Sequence, residues 1–168
     1  MQNARDLKAR IGWQFNKLAH VFSRMRKIAN HPLLVRCCYS DARVREVAPL
    51  LTARGAFGDE ASVERVVQEL EVMSDHEIGK FAEEYELKER FLLTPEQVMG
   101  SAKFQKLKGL LPKLHREGHR VLIFSQWSMI LELIAKLLQH LQLTYYYLDG
   151  STAVKDRQAM VDDYNSDP

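Results

Sequence analysis

GHRVLIFSQWSMILELIAKLLQHLQLTYYYLDGSTAVKDRQAMVDDYN, residues Gly118–Asn165, is the stretch whose reading decides the fold. Val121-Leu122-Ile123-Phe124 is a short apolar block of the kind that is buried on both faces of a parallel sheet. Ser125-Gln126-Trp127-Ser128 closes it. Ile130, Leu133, Ile134, Leu137, Leu138 and Leu141 then recur at helical spacing. Thr144 to Leu148 is a second run, rich in β-formers. It stops on Asp149-Gly150, and Ala153 to Tyr164 reads as a helix again. Strand, helix, strand and helix in this order predict a βαβ unit with a right-handed crossover, and hence an α/β fold with a parallel sheet.

Upstream, Phe104, Leu107, Leu111 and Leu114 predict a helix from about Ser101 to Glu117, bent or interrupted at Pro112 and ended by Gly118. The first hundred residues read as all-helical. Leu7, Ile11, Phe15, Leu18, Phe22, Met25 and Ala29 mark one face of a long helix that stops before Asn30-His31-Pro32. His31 is read as part of that stop and not as a catalyst. Gly55 and Gly58 punctuate a loop, and Val63, Val66, Val67, Leu70 and Met73 form a second stripe. Ser74 and Glu77 have capping-box spacing, with Ile78, Phe81 and Tyr85 facing inward. Thr94-Pro95-Glu96-Gln97 repeats that signal.

In an open parallel sheet, ligand-contacting loops lie at the carboxyl ends of the strands. Ser125-Gln126 and Asp149-Gly150-Ser151 fall at two such ends. Both lead into helix N-termini, where backbone N–H groups and the dipole favour anions. Gly150 is expected to permit a tight turn that a side chain would obstruct, and Arg157 to reach the same edge. Together these features suggest phosphate contacts. The plainer alternative makes Ser128 and Ser151 or Thr152 simple N-caps, with Arg157 a surface charge. Trp127 either stacks on a base or covers the adjacent helix. Tyr145 to Tyr147 alternate across a strand and so read as core and face residues.

The 168 residues suit one ordinary domain or two small ones, and 46% hydrophobic with 27% charged is a globular composition. No apolar run is long enough for a membrane span, and the first residues lack the apolar core of a signal peptide. The adjacent Cys37 and Cys38 are read as reduced thiols of an intracellular protein, with no second pair to complete a zinc site. Charge is unevenly spread. Met1 to Arg36 carries eight basic residues against Asp6 alone, while Phe57 to Arg90 carries eleven acids and four bases. Such asymmetry suits an electrostatic partner, or two segments that face each other or solvent.

GHRVLIFSQW followed by YYYLDGSTAVKDRQAMVDDYN resembles the start of the second RecA-like lobe of SWI/SNF-type chromatin-remodelling ATPases, within the superfamily-two helicase group. MRKIANHPLL, Met25 to Leu34, resembles the signature those proteins carry where the first lobe gives way to the second. The insert SDARVREVAPLLTARGAFGDEASVERVVQEL is similar to the SMARCAD-like branch in its plant-type form. The resemblance covers about residues 20 to 168. It implies a helical end of lobe one over 1–36, a helical insert over 37–100 and the first half of a truncated RecA-like lobe over 101–168. It also implies that Ser125, Gln126, Asp149, Gly150, Ser151 and Arg157 lie along a nucleic-acid track. There they would hold a phosphate backbone without reading sequence. ATP and Mg, double-stranded DNA, nucleosomes or histones, and a nuclear location follow for the complete enzyme.

The chain lacks the Gly-x-Gly-Lys-Ser/Thr loop, the Asp-Glu-x-His metal motif and the arginine finger that such an ATPase needs. Gly79-Lys80, for example, is followed by Phe81. It therefore reads as a central slice of a larger ATPase, inactive alone, with lobe-one and lobe-two segments supplied by flanking sequence. Two strands alone leave Val121–Phe124 and Tyr145–Leu148 short of neighbours, so the last third is expected to be marginal or aggregation-prone. Two other readings stay open: a non-catalytic module that binds DNA, histones or a protein partner, and an unrelated α/β domain.

Overall fold

The computed structural model describes residues 20–166. The chain divides between Gln97 and Val98 into two compact units.

In the first unit, residues 20–30 are helical (α1); the predicted inward positions Leu7, Ile11, Phe15 and Leu18 lie outside the described residues. Phe22 and Met25, expected to face inward, are 62% and 60% exposed, because no described element covers that face. The helix stops at His31, as Pro32 requires. His31 is extended, and its Nδ1 accepts the Leu33 N–H at 3.1 Å, capping a short 3-10 turn over Pro32–Leu34. The ring is fully buried, so it has the geometry of a helix stop.

Three capped helices follow: α2 (Asp41–Ala53), α3 (Val63–Val72) and α4 (Asp75–Glu84). Ser40, Ser62 and Ser74 each accept a backbone N–H three residues on, satisfying donors that helix geometry leaves unpaired. The predicted box at Ser74 is formed, with the Ser74 N–H donating to Glu77 at 2.8 Å. The second box is formed too: the Thr94 N–H donates to Gln97 at 2.8 Å ahead of a single turn, α5 (Pro95–Val98). Helix α2 is the element that periodicity passed over, and it runs through Pro49.

The core of this unit joins Tyr39, Val44, Val47, Ala48 and Leu51 to Val66, Leu70, Ile78, Ala82, Leu87 and Phe91. Each large aliphatic side chain buried in this way is worth about 1.5–3 kcal/mol over leaving it in water. Phe81 stacks between Phe57 and Tyr85. The Tyr39 hydroxyl donates to the Phe91 carbonyl at 2.5 Å, and the Arg43 guanidinium lies over the Tyr39 ring while donating to the Arg90 carbonyl. Burial pushes the Tyr39 phenol up to about 12. The Gly55 and Gly58 loop is a real turn, with φ of 71° and 91°, values that favour glycine.

In the second unit, α6 (Ala102–Arg116) is capped by Ser101 and continues through Pro112 without interruption. Gly118 ends it as expected: at φ 75° its N–H reaches the His115 carbonyl, and the His119 N–H reaches that of Leu114. Helix α7 (Ser128–His140) buries Ile130, Leu133, Ile134 and Leu137, and α8 (Val154–Ser166) buries no residue. The helices thus fall where the sequence puts them.

The predicted sheet does not. Among the described residues there is no β-strand, and no ladder joins 121–124 to 145–148. Leu122 is 67% and Phe124 88% exposed. The physical reason is cooperative. A parallel pair is the weaker kind of ladder, and strands of this apolar character need neighbours on both edges and cover on both faces.

Candidate nucleic-acid interface

Three of the expected site residues, Asp149, Gly150 and Ser151, lie in one turn ahead of α8, and a fourth, Arg157, lies in the first turn of that helix. The Asp149 carboxylate accepts the Ser151 N–H at 2.9 Å and the Ser151 hydroxyl at 2.6 Å, while the Asp149 N–H donates to Thr152 Oγ1 at 3.1 Å. This is a turn in which an aspartate replaces a backbone acceptor. The hydrogen bonds from Ser151 hold the carboxyl below its ordinary value, so Asp149 is an anion and builds the turn. Arg157, one turn into α8, folds back over it. Its Nε donates to the Thr152 carbonyl at 2.9 Å and its Nη2 to the Asp149 carbonyl at 2.6 Å. A guanidinium has five N–H groups, and these bonds use two of them.

This arrangement revises three expectations. Gly150 does not have a positive φ, and a Cβ there would meet nothing within 4 Å, so the corner does not need glycine for space. Neither Ser151 nor Thr152 serves as a simple cap of α8, since their hydroxyls are spent on Asp149. Arg157 is an exposed charge that also braces the turn. Thr152, weighed only as a cap, closes the turn; an Asp followed three residues on by Thr is the local signal for it.

Ser125 and Gln126 sit in a separate turn before α7. The Ser125 hydroxyl accepts the Trp127 N–H and lies in bonding reach of the Trp127 carbonyl, both at 3.1 Å. Gln126 is exposed. Trp127 takes the cap position of α7 with no side-chain cap bond, so Ser128 is the first helical residue and not the cap. The hydrogen bonds of Ser125 stay within its own turn.

Gly79, which precedes Lys80, lies inside α4, where an added Cβ would come within 2.5 Å of Leu93. Its small size serves helix packing; a phosphate loop needs glycines ahead of a helix, not inside one.

The family described as "Helicase conserved C-terminal domain" matches residues 102–168. Beyond that match, the chain is similar to SWI/SNF-type, superfamily-two helicase-like chromatin remodellers. Within that group it is 43% identical over 152 residues to "Protein CHROMATIN REMODELING 19" of Arabidopsis thaliana, covering 90% of this chain and 20% of that protein. It is 34% identical over 148 residues to "ATP-dependent helicase fft2" of Schizosaccharomyces pombe, covering 88% of this chain and 11% of the relative. The crystal structure of the C-terminal part of the Fun30 ATPase domain is similar over 84% of this chain and 47% of that one, at 29% identity and a TM-score of 0.77. The chain therefore spans a fifth or less of the length of these two relatives.

Proposed function

We propose that this chain works as part of a larger DNA-dependent ATPase that remodels chromatin by ATP-driven movement along double-stranded DNA. Residues 101–168 supply the first half of its second RecA-like lobe, with Val121–Phe124 and Tyr145–Leu148 completing a parallel sheet once further strands join them. The complete enzyme uses ATP and Mg, works in the nucleus on nucleosomes, and carries its phosphate loop, metal motif and arginine finger outside these residues. This chain alone does not hydrolyse ATP.

The observation that supports the reading is the guanidinium of Arg157, pinned on the Asp149 and Thr152 carbonyls with donors to spare. It stands beside the N-terminus of α8, where a phosphate is favoured by the helix itself. Gln126 and Gly150 add donors along the same kind of backbone track, while Ser125, Ser151 and Asp149 hold the two turns in shape. Contacts of this type position a protein on DNA without sequence preference.

The test is fluorescence anisotropy of a labelled duplex with the 168-residue chain across a salt series. Binding should weaken steeply with salt. Arg157→Ala should lower the log–log slope by about one at every sequence tested, with Arg157→Lys recovering part of it. An unchanged slope in a variant with native far-UV circular dichroism removes Arg157 from the contact.

A further inference from the structure

Cys37 and Cys38 follow the Pro32–Leu34 turn, and Asp75 opens α4, 37 residues after Cys38. The fold brings the three together. The Asp75 carboxylate is fully buried. Its Oδ2 accepts the N–H groups of Cys37 at 2.9 Å and Cys38 at 2.7 Å, and its Oδ1 accepts that of Tyr39 at 2.9 Å. The Cys37 Sγ lies 3.1 Å from Oδ2. The two sulfurs and a carboxylate oxygen all lie within 4.8 Å of one another.

We propose that Cys37, Cys38 and Asp75 form a binding site for a thiophilic divalent cation of the zinc and cadmium type, with water as the fourth ligand. The donor set suits such an ion: two thiolates and a carboxylate around a metal without geometric demands of its own. Tetrahedral zinc, with Zn–S of about 2.3 Å and Zn–O of about 2.0 Å, puts sulfur and oxygen roughly 3.5 Å apart and two sulfurs roughly 3.8 Å apart. The Cys37–Asp75 spacing is a little short of the first value. The 4.8 Å limit exceeds the second by about 1 Å, a movement within reach of side-chain rotation.

The backbone around the carboxylate is already arranged for the task. Three N–H groups fix its orientation, as outer hydrogen bonds do at metal sites. Because two of them belong to the cysteines themselves, those bonds also hold both sulfurs near the carboxylate. Cys37 is exposed and Cys38 partly so, which gives the ion a route from solvent. Binding would exchange two S–H protons for two metal–sulfur bonds and replace the Cys37 contact to Oδ2 by a metal–oxygen bond. The two protons pass to solvent, and no electron moves. The spacing rules for zinc motifs miss such a site because its third donor is remote in sequence.

The test is a titration of the reduced 168-residue chain with Cd²⁺ in a phosphine reductant, followed by thiolate-to-metal charge-transfer absorption. One Cd²⁺ per chain is expected, displaced by Zn²⁺. Cys37→Ser and Cys38→Ser should each weaken binding at least about tenfold, and the double variant should lose the band with its far-UV circular dichroism unchanged. Asp75→Asn, where it folds, should also bind more weakly, and unaltered affinity there would remove the carboxylate from the site. Absence of the band in the folded chain, one metal shared by two chains, or full affinity in either cysteine variant would overturn the proposal.

Discussion

The helices of the first unit and the strand-like runs of the second carry apolar residues alike, yet they meet opposite fates. Val47, Leu51, Leu70 and Ile78 are fully buried, whereas Leu122 and Phe124 stand mostly in solvent. The difference lies in where the partners are. A helix satisfies its own backbone and needs only one covered face, and α2, α3 and α4 cover one another within about fifty residues. A parallel strand needs neighbours on both edges before its backbone or its side chains are satisfied. Hydrophobicity is therefore enough to form the first unit and not enough to form a two-strand sheet.

The largest expected break in the first unit is Asp75→Ala. It leaves the buried N–H of Tyr39 and those of Cys37 and Cys38 without their acceptor, at a cost of about 3 kcal/mol or more. Urea unfolding followed by far-UV circular dichroism measures it; a shift below about 1 kcal/mol would mean the clasp does not organise the unit. Next comes a matched pair. Leu70→Ala should cost about 2–5 kcal/mol, and Leu122→Ala less than about 0.5 kcal/mol. Equal losses would show that the second unit packs its strand-like runs after all. Limited proteolysis sharpens the same contrast, with first cuts expected near Leu122–Gln126 and Tyr145–Gly150 while 41–91 stays intact.

The smallest effect is alkaline and confined to the first unit. Cys38 is pushed up from 9.0 to about 12, by burial first and the Asp75 charge second, and Tyr39 from 10.0 to about 12 by burial. Both folded values are raised, so the folded state favours the protonated forms. Their contribution is fully present below about pH 9 and is lost as pH rises towards 12. With a chelator present, stability measured by urea midpoint should fall across that window, and Cys38→Ser should flatten part of the fall.

The local signals in the sequence were readable because their physics is local. Ser74 with Glu77, Thr94 with Gln97, and Gly118 each act within a few residues, and all are formed as read. Helix α2 escaped because Pro49 breaks the usual pattern, although a proline whose clash is absorbed can persist inside a helix. The strands were legible as sequence but not as structure, since a ladder depends on residues far along the chain. At the candidate site, Ser151 and Arg157 each bond to Asp149, a proximity that their short spacing allows. Their division into turn-builder and donor depends on side-chain bonds that spacing does not specify. The Cys37–Cys38–Asp75 cluster was invisible for the same reason.

The central claim is that these residues act within an ATP-driven motor that moves along DNA. The most direct measurement replaces the matching 152 residues of the Arabidopsis relative by this chain's and follows DNA-stimulated ATP hydrolysis. Stimulation should persist in that chimera and fall at least about tenfold with Arg157→Ala, while the hydrolysis without DNA stays unchanged. A folded chimera that DNA does not stimulate, or one indifferent to Arg157→Ala, would contradict the account.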